Sequence, residues 1–323
     1  MKYLLIILFV LFLGTDTVCG DVVLKRIVDS DNSGNGIWGL YDENGQEVNT
    51  NGTTTNGFQE AIDYIQDHGY PLRLIGGGYK QDGTDVSIIY CTSPIYIKPF
   101  EKITIHADSV SIIFAPNVRV NGITIDSGLM ADIRITGQIG YSGDMAAVAF
   151  KPVNGLPLSS ATPAMANNKF EFCAIALYGN YGATSKVVDF DASVGAITNN
   201  IFNFVEINNG GYGLHVNGLI NNQITFGEVH GSNLAGVTIS ANSWGNTFNG
   251  MIESSTGSVG LDMFGNNNIF IGSISNQEGN LAVGYKLEPD SKGNIAILSK
   301  CDGGLPVQDS SGNTTNVIIK GGN

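Results

Sequence analysis

Three glutamates recur at a nearly constant spacing in the second half of the chain. Glu206 and Glu228 each lie six residues after a repeated asparagine, and Glu253 lies seven residues after its own. If successive segments stack like neighbouring strands, adjacent segments lie about 4.8 Å apart. Carboxylates in adjacent segments then approach the separation of about 5 Å that retaining glycosidases use. Those in alternate segments approach the separation of about 6.5–9.5 Å that inverting glycosidases use. Stacked like charges also raise the pKa of one acid, as a general acid requires. The three glutamates are therefore candidate catalytic residues.

A structural interpretation of the same glutamates stays open and is the favoured one. Glu206 has the strand parity of Phe202 and Phe204, so it faces solvent only if a turn or bend lies between them. Carboxylates in turns commonly cap backbone amides. In that interpretation the three glutamates stabilise turns and take no part in chemistry.

A second set of polar residues occupies the centre of a repeated pattern, apolar-x-apolar, in which the flanking residues are predicted to point inward. The central residues therefore point outward in one row: Asp189, His215, Thr238, Asp262 and Lys286. Asp189 would lie beside His215, and Asp262 beside Lys286. Asp189 and Asp262 are further catalytic candidates, while His215, Thr238, Lys286 and the separate His230 are candidate substrate-binding residues. The alternative is a solvated strand face with cross-strand charge pairs.

Cofactor chemistry has little support in the sequence. Asp189 and Asp191 could help to hold calcium, but two acids alone make a weak site. The sequence shows no other metal-ligand cluster, no phosphate-binding loop, and no Ser/His/Asp set with meaningful spacing. We therefore expect no cofactor and no metal site, with calcium left open.

The elements that would position these residues are predicted by an internal repeat. Asn200, Asn222 and Asn246 are 22 and 24 residues apart, and Gly213, Gly236 and Gly260 are 23 and 24 residues apart. Each unit contains short alternating apolar runs separated by Asn, Gly and Ser, which is typical of strands and turns. Such a period without helices indicates a solenoid, namely a parallel β-helix in which each coil buries its apolar face against its neighbours.

The regular ladder of coils is predicted over residues 167–319. The repeated asparagines are expected to stack, with their amides bonded from coil to coil. Phe170, Phe202, Ile224 and Phe248 are expected to share one inward column.

The rest of the chain divides into four predicted segments. Residues 1–20 have one Lys, an apolar run and small residues at the end, which is typical of a secretory signal peptide. Residues 21–55 are predicted to be a separate hairpin segment around Asn44-Gly45. Residues 56–69 are predicted to be an amphipathic helix, with Asn56 as its N-cap, that covers the open end of the solenoid. Residues 72–166 are predicted to be irregular early coils.

The net charge limits the kinds of partner that the protein can bind, and the cysteine content limits the class of fold. The net charge is −13, and such an acidic surface repels nucleic acid and anionic lipid. Neutral glycans fit better. Beyond the signal peptide three cysteines remain, which is too few for a disulfide scaffold.

A family resemblance adds to these observations. The helical segment Gly-Phe-Gln-Glu-Ala-Ile, the run Gly-Gly-Gly-Tyr at residues 76–79 and the strand Ser-Pro-Ile-Tyr-Ile resemble the N-terminal signature of the pectate-lyase-like superfamily. The repeated Asn-x-Phe and Gly-Leu-x-Val runs are similar to the coils of phage tail-spike proteins. The resemblance covers residues 50–323 and implies an all-β, right-handed parallel β-helix. This chain has Gly-Gly-Gly-Tyr where the superfamily usually has Pro-x-Gly-x-Tyr.

The resemblance does not fix one function, because the superfamily contains lyases, hydrolases, epimerases and non-catalytic attachment proteins. Its lyases typically use Arg or Lys as the base, and all four arginines here precede the regular ladder. That disfavours an Arg-dependent lyase. We therefore expect an exported or virion-surface protein that binds polysaccharide, with a glycoside hydrolase as the alternative. No nucleic acid and, after signal cleavage, no membrane is expected as a partner, and assembly as a homotrimer is left open.

Overall fold

The computed structural model describes residues 20–29, 36–48, 53–76, 87–156, 163–179, 181–253, 259–276 and 279–321. Residues 1–19 of the predicted signal peptide and residues 77–79 of the family signature fall outside these residues. Among the described residues, no helix combines the length and apolar character that crossing a bilayer requires.

The described residues form three sheets that the chain visits in turn. The first sheet contains β1 (Val22–Asp29), β2 (Gly36–Tyr41), β3 (Glu47–Val48), β4 (Leu72–Ile75), β5 (Ile88–Cys91), β8 (Thr104–Asp108), β9 (Ser111–Phe114), β12 (Asp132–Tyr141), β15 (Lys169–Leu177), β18 (Ile201–Asn208), β21 (Gln223–His230), β23 (Thr247–Glu253), β25 (Ile269–Ser275), β27 (Ile295–Cys301) and β29 (Val317–Lys320).

The second sheet contains β6 (Ile95–Ile97), β10 (Ile123–Ile125), β13 (Ala146–Phe150), β16 (Lys186–Asp191), β19 (Tyr212–Asn217), β22 (Ala235–Ile239), β24 (Val259–Met263), β26 (Val283–Leu287) and β28 (Leu305–Asp309). The third contains β7 (Phe100–Glu101), β11 (Gly128–Leu129), β14 (Ala164–Ala166), β17 (Ala196–Thr198) and β20 (Leu219–Ile220). Strands of successive coils pair in parallel. The fold is an all-β parallel β-helix, and the predicted fold class is confirmed.

Stacked aromatic side chains fill the interior between the sheets. Phe170, Phe202, Ile224 and Phe248 lie opposite one another in successive coils, which confirms the predicted inward column. The rings of Phe170 and Phe202 stack at 5.1 Å between centroids, with an interplanar angle of 7°. Each of these four side chains is at most 1% exposed. The core is therefore built one layer per coil by residues of the same register.

Asparagines at one turn of each coil form a hydrogen-bonded ladder, as the sequence predicts. The Oδ1 atom of Asn200 accepts hydrogen bonds from the backbone N of Asn168 at 3.0 Å and from its Nδ2 at 2.9 Å. The Nδ2 of Asn200 also donates to the Met165 carbonyl at 3.0 Å. The backbone-to-side-chain step repeats in each coil through Asn222, Asn246, Asn268, Asn294 and Asn316.

The residue before each ladder asparagine from Asn168 to Asn294 has a left-handed backbone. Asn167, Asn199, Asn221 and Asn267 have φ between 53° and 56°, and Gly245 and Gly293 have φ of 70° and 67°. Asn and Gly are the residues that adopt this conformation most readily. The doublets Asn-Asn and Gly-Asn in the sequence therefore mark the turn before six strands of the first sheet, namely β15, β18, β21, β23, β25 and β27.

The repeated glycines Gly213, Gly236 and Gly260 lie in strands of the second sheet and do not have a left-handed backbone. Glycine is therefore needed at these positions for a reason other than backbone conformation. A Cβ placed on Gly236 would lie 2.5 Å from Cγ2 of Ile252 and 2.9 Å from the carbonyl oxygen of Gly260. A Cβ on Gly260 would meet Ile274 at 2.6 Å and the Gly284 carbonyl at 2.7 Å. At these glycines the start of a second-sheet strand approaches the first sheet so closely that no side chain fits between them.

A bend in strand β18 determines the direction in which Glu206 points. Phe204 is buried, Val205 is 60% exposed, Glu206 is partly exposed and Ile207 is buried. Two consecutive residues thus face outward, and the alternation restarts after them. This is the bend that Glu206 needs in order to face solvent.

The predicted cap helix is α1 (Phe58–His68), shorter than residues 56–69. The prediction of Asn56 as N-cap is wrong, since Gly57 is the N-cap and has a left-handed backbone with φ of 83°. The side-chain oxygens of Thr53 and Thr55 instead accept from the backbone N of Gly57 and Gln59. The apolar face of α1 packs on strands β1, β4 and β6 at the N-terminal end of the solenoid.

The N-terminal segment is not separate from the solenoid. Strand β1 pairs in parallel with β4 and so extends the first sheet by one strand. Strands β1–β2 and β2–β3 then pair antiparallel, with Asn44-Gly45 between β2 and β3. The Asn44-Gly45 pair in the sequence predicts the β2–β3 hairpin. The sequence does not predict β1, because its parallel partner β4 lies about fifty residues further along the chain. Cys91, Cys173 and Cys301 are free thiols.

Candidate functional site

The second sheet presents the predicted polar row on its outer face. Strand register places Asp189 opposite His215, His215 opposite Thr238, Thr238 opposite Asp262, and Asp262 opposite Lys286. These side chains are partly exposed, whereas their neighbours in the strands are buried. The row is the product of one register position, and it brings residues far apart in sequence into contact.

A cleft of about 390 Å³ opens at the N-terminal end of this row. Asp144 and Met145, from the connection that precedes β13, line it on one side, and Thr184, from the connection that precedes β16, also lines it. The residues that line the cleft are Asn121, Asp144, Met145, Ala146, Thr184, Lys186, Asp189, Tyr212 and His215.

Asp189 is the centre of the contacts in the cleft. Both of its carboxylate oxygens accept hydrogen bonds from Lys186 Nζ at 3.0 Å. One oxygen also lies 2.7 Å from His215 Nδ1. The Tyr212 ring meets the His215 ring edge to face, with centroids 5.7 Å apart. The result is a compact group of an acid, a base, an ammonium and an aromatic ring.

Sequence reasoning selected Asp189 and His215 but missed the other members of this group. Lys186 and Tyr212 each lie three residues before a residue of the row, and strand register places them opposite each other. That shared offset is the signal that could have found them. Asp144 comes from an earlier coil, and nothing in the local sequence marks it.

Arg119 bears on the expectation that an Arg-dependent lyase is disfavoured because all four arginines precede the regular ladder. Arg119 precedes the regular ladder in sequence, yet its guanidinium lies 3.5 Å from the Asp144 carboxylate. Arginine is therefore present at the edge of the cleft, and the position of the four arginines in the sequence does not exclude it. Arg119 is neutralised by Asp144, as Lys186 is by Asp189, so the charges of the cleft balance.

A pair of carboxyl groups lies further along the second sheet. Burial raises the pKa of Asp262 to about 7; the Lys286 ammonium opposes the shift, and the hydrogen-bonded Glu288 carboxylate adds to it. Lys286 Nζ donates to Glu288, which is 9% exposed. Glu288 is another residue that the sequence analysis missed, although it lies two residues after Lys286 and thus on the same face.

The three glutamates lie on the outer face of the first sheet, but not in one column. Glu206 and Glu228 are in register, whereas Glu253 is in register with His230, because the pairing shifts by one residue after Phe226. The prediction of a single acidic column is therefore wrong for Glu253. Its side chain still reaches Glu228. Burial and the charge of Glu253 raise the pKa of Glu228.

Among the described residues, one group of three could offer ligands to a cation. One ligand atom from each of Glu228, His230 and Glu253 lies within 4.8 Å of the others. Asp189 and Asp191, considered for calcium, both face outward, but each is already bound by a lysine. Asp191 is held by Lys151 at 3.1 Å. Burial opposes ionisation of Asp191, yet the Ser193 and Lys151 contacts lower its pKa to about 2. The Asp189 and Asp191 pair is thus already neutralised by protein cations.

Comparison with known proteins finds solved structures that are similar to this chain. No protein-family model matches the chain, and no curated protein matches it in sequence. The chain is structurally similar to full-length tailspike protein 2 from Escherichia coli O157:H7 bacteriophage CAB120, with a TM-score of 0.54 and 14% identity. The match covers 94% of this chain and 45% of the tailspike. A match to the enzymatically active domain of tailspike protein 2 from bacteriophage CBA120 has a TM-score of 0.43 and 13% identity, and covers 96% of this chain and 46% of the other.

The similarity to full-length tailspike protein 2 agrees with the architecture seen in this chain. The structural neighbours are phage tailspike proteins, and the chain shares with the first of them a stack of parallel coils. The chain spans less than half of that tailspike's length. Function must therefore be argued from the side chains of this protein.

Proposed function

We propose that this protein is an exported or virion-surface β-helix protein that binds polysaccharide in the cleft lined by residues 144–146, Lys186, Asp189, Tyr212 and His215. The observation that carries the proposal is the cleft itself, which continues into a row of outward polar side chains along the second sheet. A linear glycan is a ligand of matching shape, because its repeating hydroxyls can bond to side chains that repeat from coil to coil.

The chemistry of the cleft fits a neutral or weakly charged glycan. Its two cations, Lys186 and Arg119, are each bound to a carboxylate, so neither is free to neutralise a highly charged anionic sugar. The Tyr212 ring offers an aromatic surface beside these polar groups. Sugars present both an apolar face and hydroxyls, and such a mixed site is typical of small-molecule recognition.

The experiment is binding of the purified protein to a glycan array, followed by affinity measurement on the best glycan. We expect Tyr212→Ala to weaken binding by about tenfold or more, since an anchoring aromatic residue commonly contributes over 1 kcal/mol. Thr225→Ala, on the exposed face of the first sheet, is the control and should bind normally. Equal affinity of both variants and wild type would place the binding surface elsewhere.

A glycoside hydrolase is the second candidate, and one observation favours it. The raised pKa of Asp262 is what a general acid needs at neutral pH. The geometry supports it less well, because Asp262 and Glu288 are hydrogen-bonded to each other, as are Glu228 and Glu253. Glycosidases hold their two carboxyl groups about 5 Å or more apart. Release of reducing ends, measured with Asp262→Asn and Glu228→Gln, tests this alternative.

Placement and assembly are part of the same proposal. The similarity in fold to a phage tailspike and the predicted signal peptide support the proposed extracellular or virion-surface position. Assembly as a homotrimer is compatible with that placement, and sedimentation equilibrium of the purified chain would test it.

A further inference from the structure

We propose that the cleft is also catalytic, with His215 as a general base that activates water for hydrolysis of an ester carried by the bound polysaccharide. Asp189 is the positioning residue for His215. This inference rests on the proposed binding of a glycan in the same cleft, but it adds a reaction to that binding.

The contacts of Asp189 determine which nitrogen of His215 carries the proton. Both carboxylate oxygens of Asp189 accept hydrogen bonds from Lys186 Nζ. An ionised carboxylate only accepts hydrogen bonds, and therefore the 2.7 Å contact requires a hydrogen on His215 Nδ1. In the neutral ring the lone pair then lies on Nε2. A carboxylate behind the imidazole both fixes this tautomer and stabilises the imidazolium that forms on proton uptake.

The His215 ring is accessible from the cleft. Its side chain is 24% exposed, and that of Asp189 is 15% exposed. The ring lines the cleft together with Tyr212 and Lys186. A water molecule and a sugar substituent can therefore reach the imidazole, and Asp189 is the less exposed of the two side chains.

The composition of the group favours an ester over a glycosidic bond. Ester hydrolysis needs one base of near-neutral character and a donor for the developing oxyanion. Lys186 gives two hydrogen bonds to Asp189, and an ammonium has a third hydrogen. Glycoside hydrolysis needs two separate carboxyl groups, but the second acid of the cleft, Asp144, is bound to Arg119.

The proposed reaction proceeds in two steps. Nε2 of His215 takes a proton from water while the water oxygen adds to the acyl carbon, and the carbonyl electrons move to the oxygen, which Lys186 stabilises. The C–O bond to the sugar then breaks, the carbonyl re-forms, and the departing sugar oxygen takes the proton from Nε2. The products are a free sugar hydroxyl and a carboxylic acid, and the histidine is regenerated neutral.

The first test is acetate release from acetylated xylan and hydrolysis of p-nitrophenyl acetate by the full chain. We expect His215→Gln to lower the rate at least about a hundredfold, and Asp189→Asn to lower it at least about tenfold. His106→Gln is the matched control, because His106 Nε2 lies 3.5 Å from Asp132 on another face of the solenoid. This variant should keep the wild-type rate.

The second test reads the tautomer without activity. Nitrogen-15 NMR of the four histidines, assigned with His215→Gln, should show His215 protonated on Nδ1 in the neutral ring, and Asp189→Asn should remove that preference. A wild-type His215 protonated on Nε2 overturns the proposal. So does acetate release that His215→Gln leaves unchanged, or the absence of release from both probes. Glycan binding is measured in parallel: binding without release overturns this inference alone, while absence of binding overturns the proposed function.

Discussion

Asn246 is joined to Asn222 of the preceding coil by two hydrogen bonds to a single oxygen. Its Oδ1 accepts from the backbone N of Asn222 at 2.9 Å and from the Asn222 Nδ2 at 3.2 Å. Asn246 in turn donates from Nδ2 to the Leu219 carbonyl at 2.8 Å and to Asn268 Oδ1 at 3.0 Å. Asn246 is fully buried, so no water can replace these bonds.

Replacing Asn246 tests the ladder. Asn246→Ala leaves the buried Asn222 backbone N–H without its partner, whereas the Leu219 carbonyl keeps a hydrogen bond from the Trp244 backbone N. An unsatisfied buried group costs about 1–3 kcal/mol, and we expect the free energy of unfolding to fall by about that amount in urea denaturation. Asn249→Ala, exposed on the same strand, should change it by less than about 0.5 kcal/mol. Similar losses from both variants would mean that the ladder does not stabilise the coils.

Truncating Phe202 tests the aromatic column. This ring is fully buried and stacked on Phe170, and Phe202→Ala should lower the free energy of unfolding by about 3–5 kcal/mol. Val205→Ala removes an exposed side chain from the same strand and should have little effect. A loss below about 1 kcal/mol for Phe202→Ala would show that this column is not tightly packed.

The glycine column makes a prediction about added volume. Gly236→Ala would push a methyl group against Ile252 and the Gly260 carbonyl, and such overpacking costs about 1–3 kcal/mol. Gly182→Ala is the control, because its Cβ would meet Asp144 only at 3.4 Å and beyond. We expect a lower melting temperature for Gly236→Ala alone. Equal melting temperatures for the two variants would contradict the close approach of the sheets.

The pH dependence of stability should report the carboxyl group of Asp262. Its pKa rises from 3.8 to about 7 in the folded protein, so between these values the folded state holds a proton that the unfolded state releases. Stability from this group is thus present at pH 4 and lost as the pH rises through 7. The loss is on the order of 1–2 kcal/mol, since the group is partly exposed to solvent.

Comparison of wild type with Asp262→Asn isolates this contribution. The variant has no group to titrate, so its stability relative to wild type should increase between pH 4 and pH 8. Chemical denaturation at both values measures the difference. Parallel curves for the two proteins over this range would show that Asp262 titrates alike in the folded and unfolded states.

The regular coils could be predicted from the sequence because each residue type repeats for a physical reason. The buried amide of Asn222, the ring of Phe202 and the missing side chain of Gly236 each meet the same environment one coil later. The periodicity therefore predicts which residues of each coil point inward and which point outward. Strand β1 escaped prediction because its pairing with β4 is set by contacts distant in sequence.

The candidate site was predictable only where it follows the repeat. Asp189 and His215 share a register position, and their contact could be anticipated from spacing alone. The register shift that moves Glu253 beside His230 breaks the period. Asp144 and Arg119 reach the cleft through irregular connections, whose paths depend on tertiary packing and leave no periodic signal.

The asparagine ladder also makes the coil an interchangeable unit. Every step runs in one direction, from the amide of one coil to the oxygen of the next, so each coil offers the same donor below and the same acceptor above. Duplication or excision of a whole repeat would again place the amide of one coil next to the asparagine oxygen of the following coil. A cut through half a repeat would instead place that amide next to a strand, which has no asparagine oxygen at that position. A gene for such a chain can lengthen or shorten in steps of one coil without redesigning the ends.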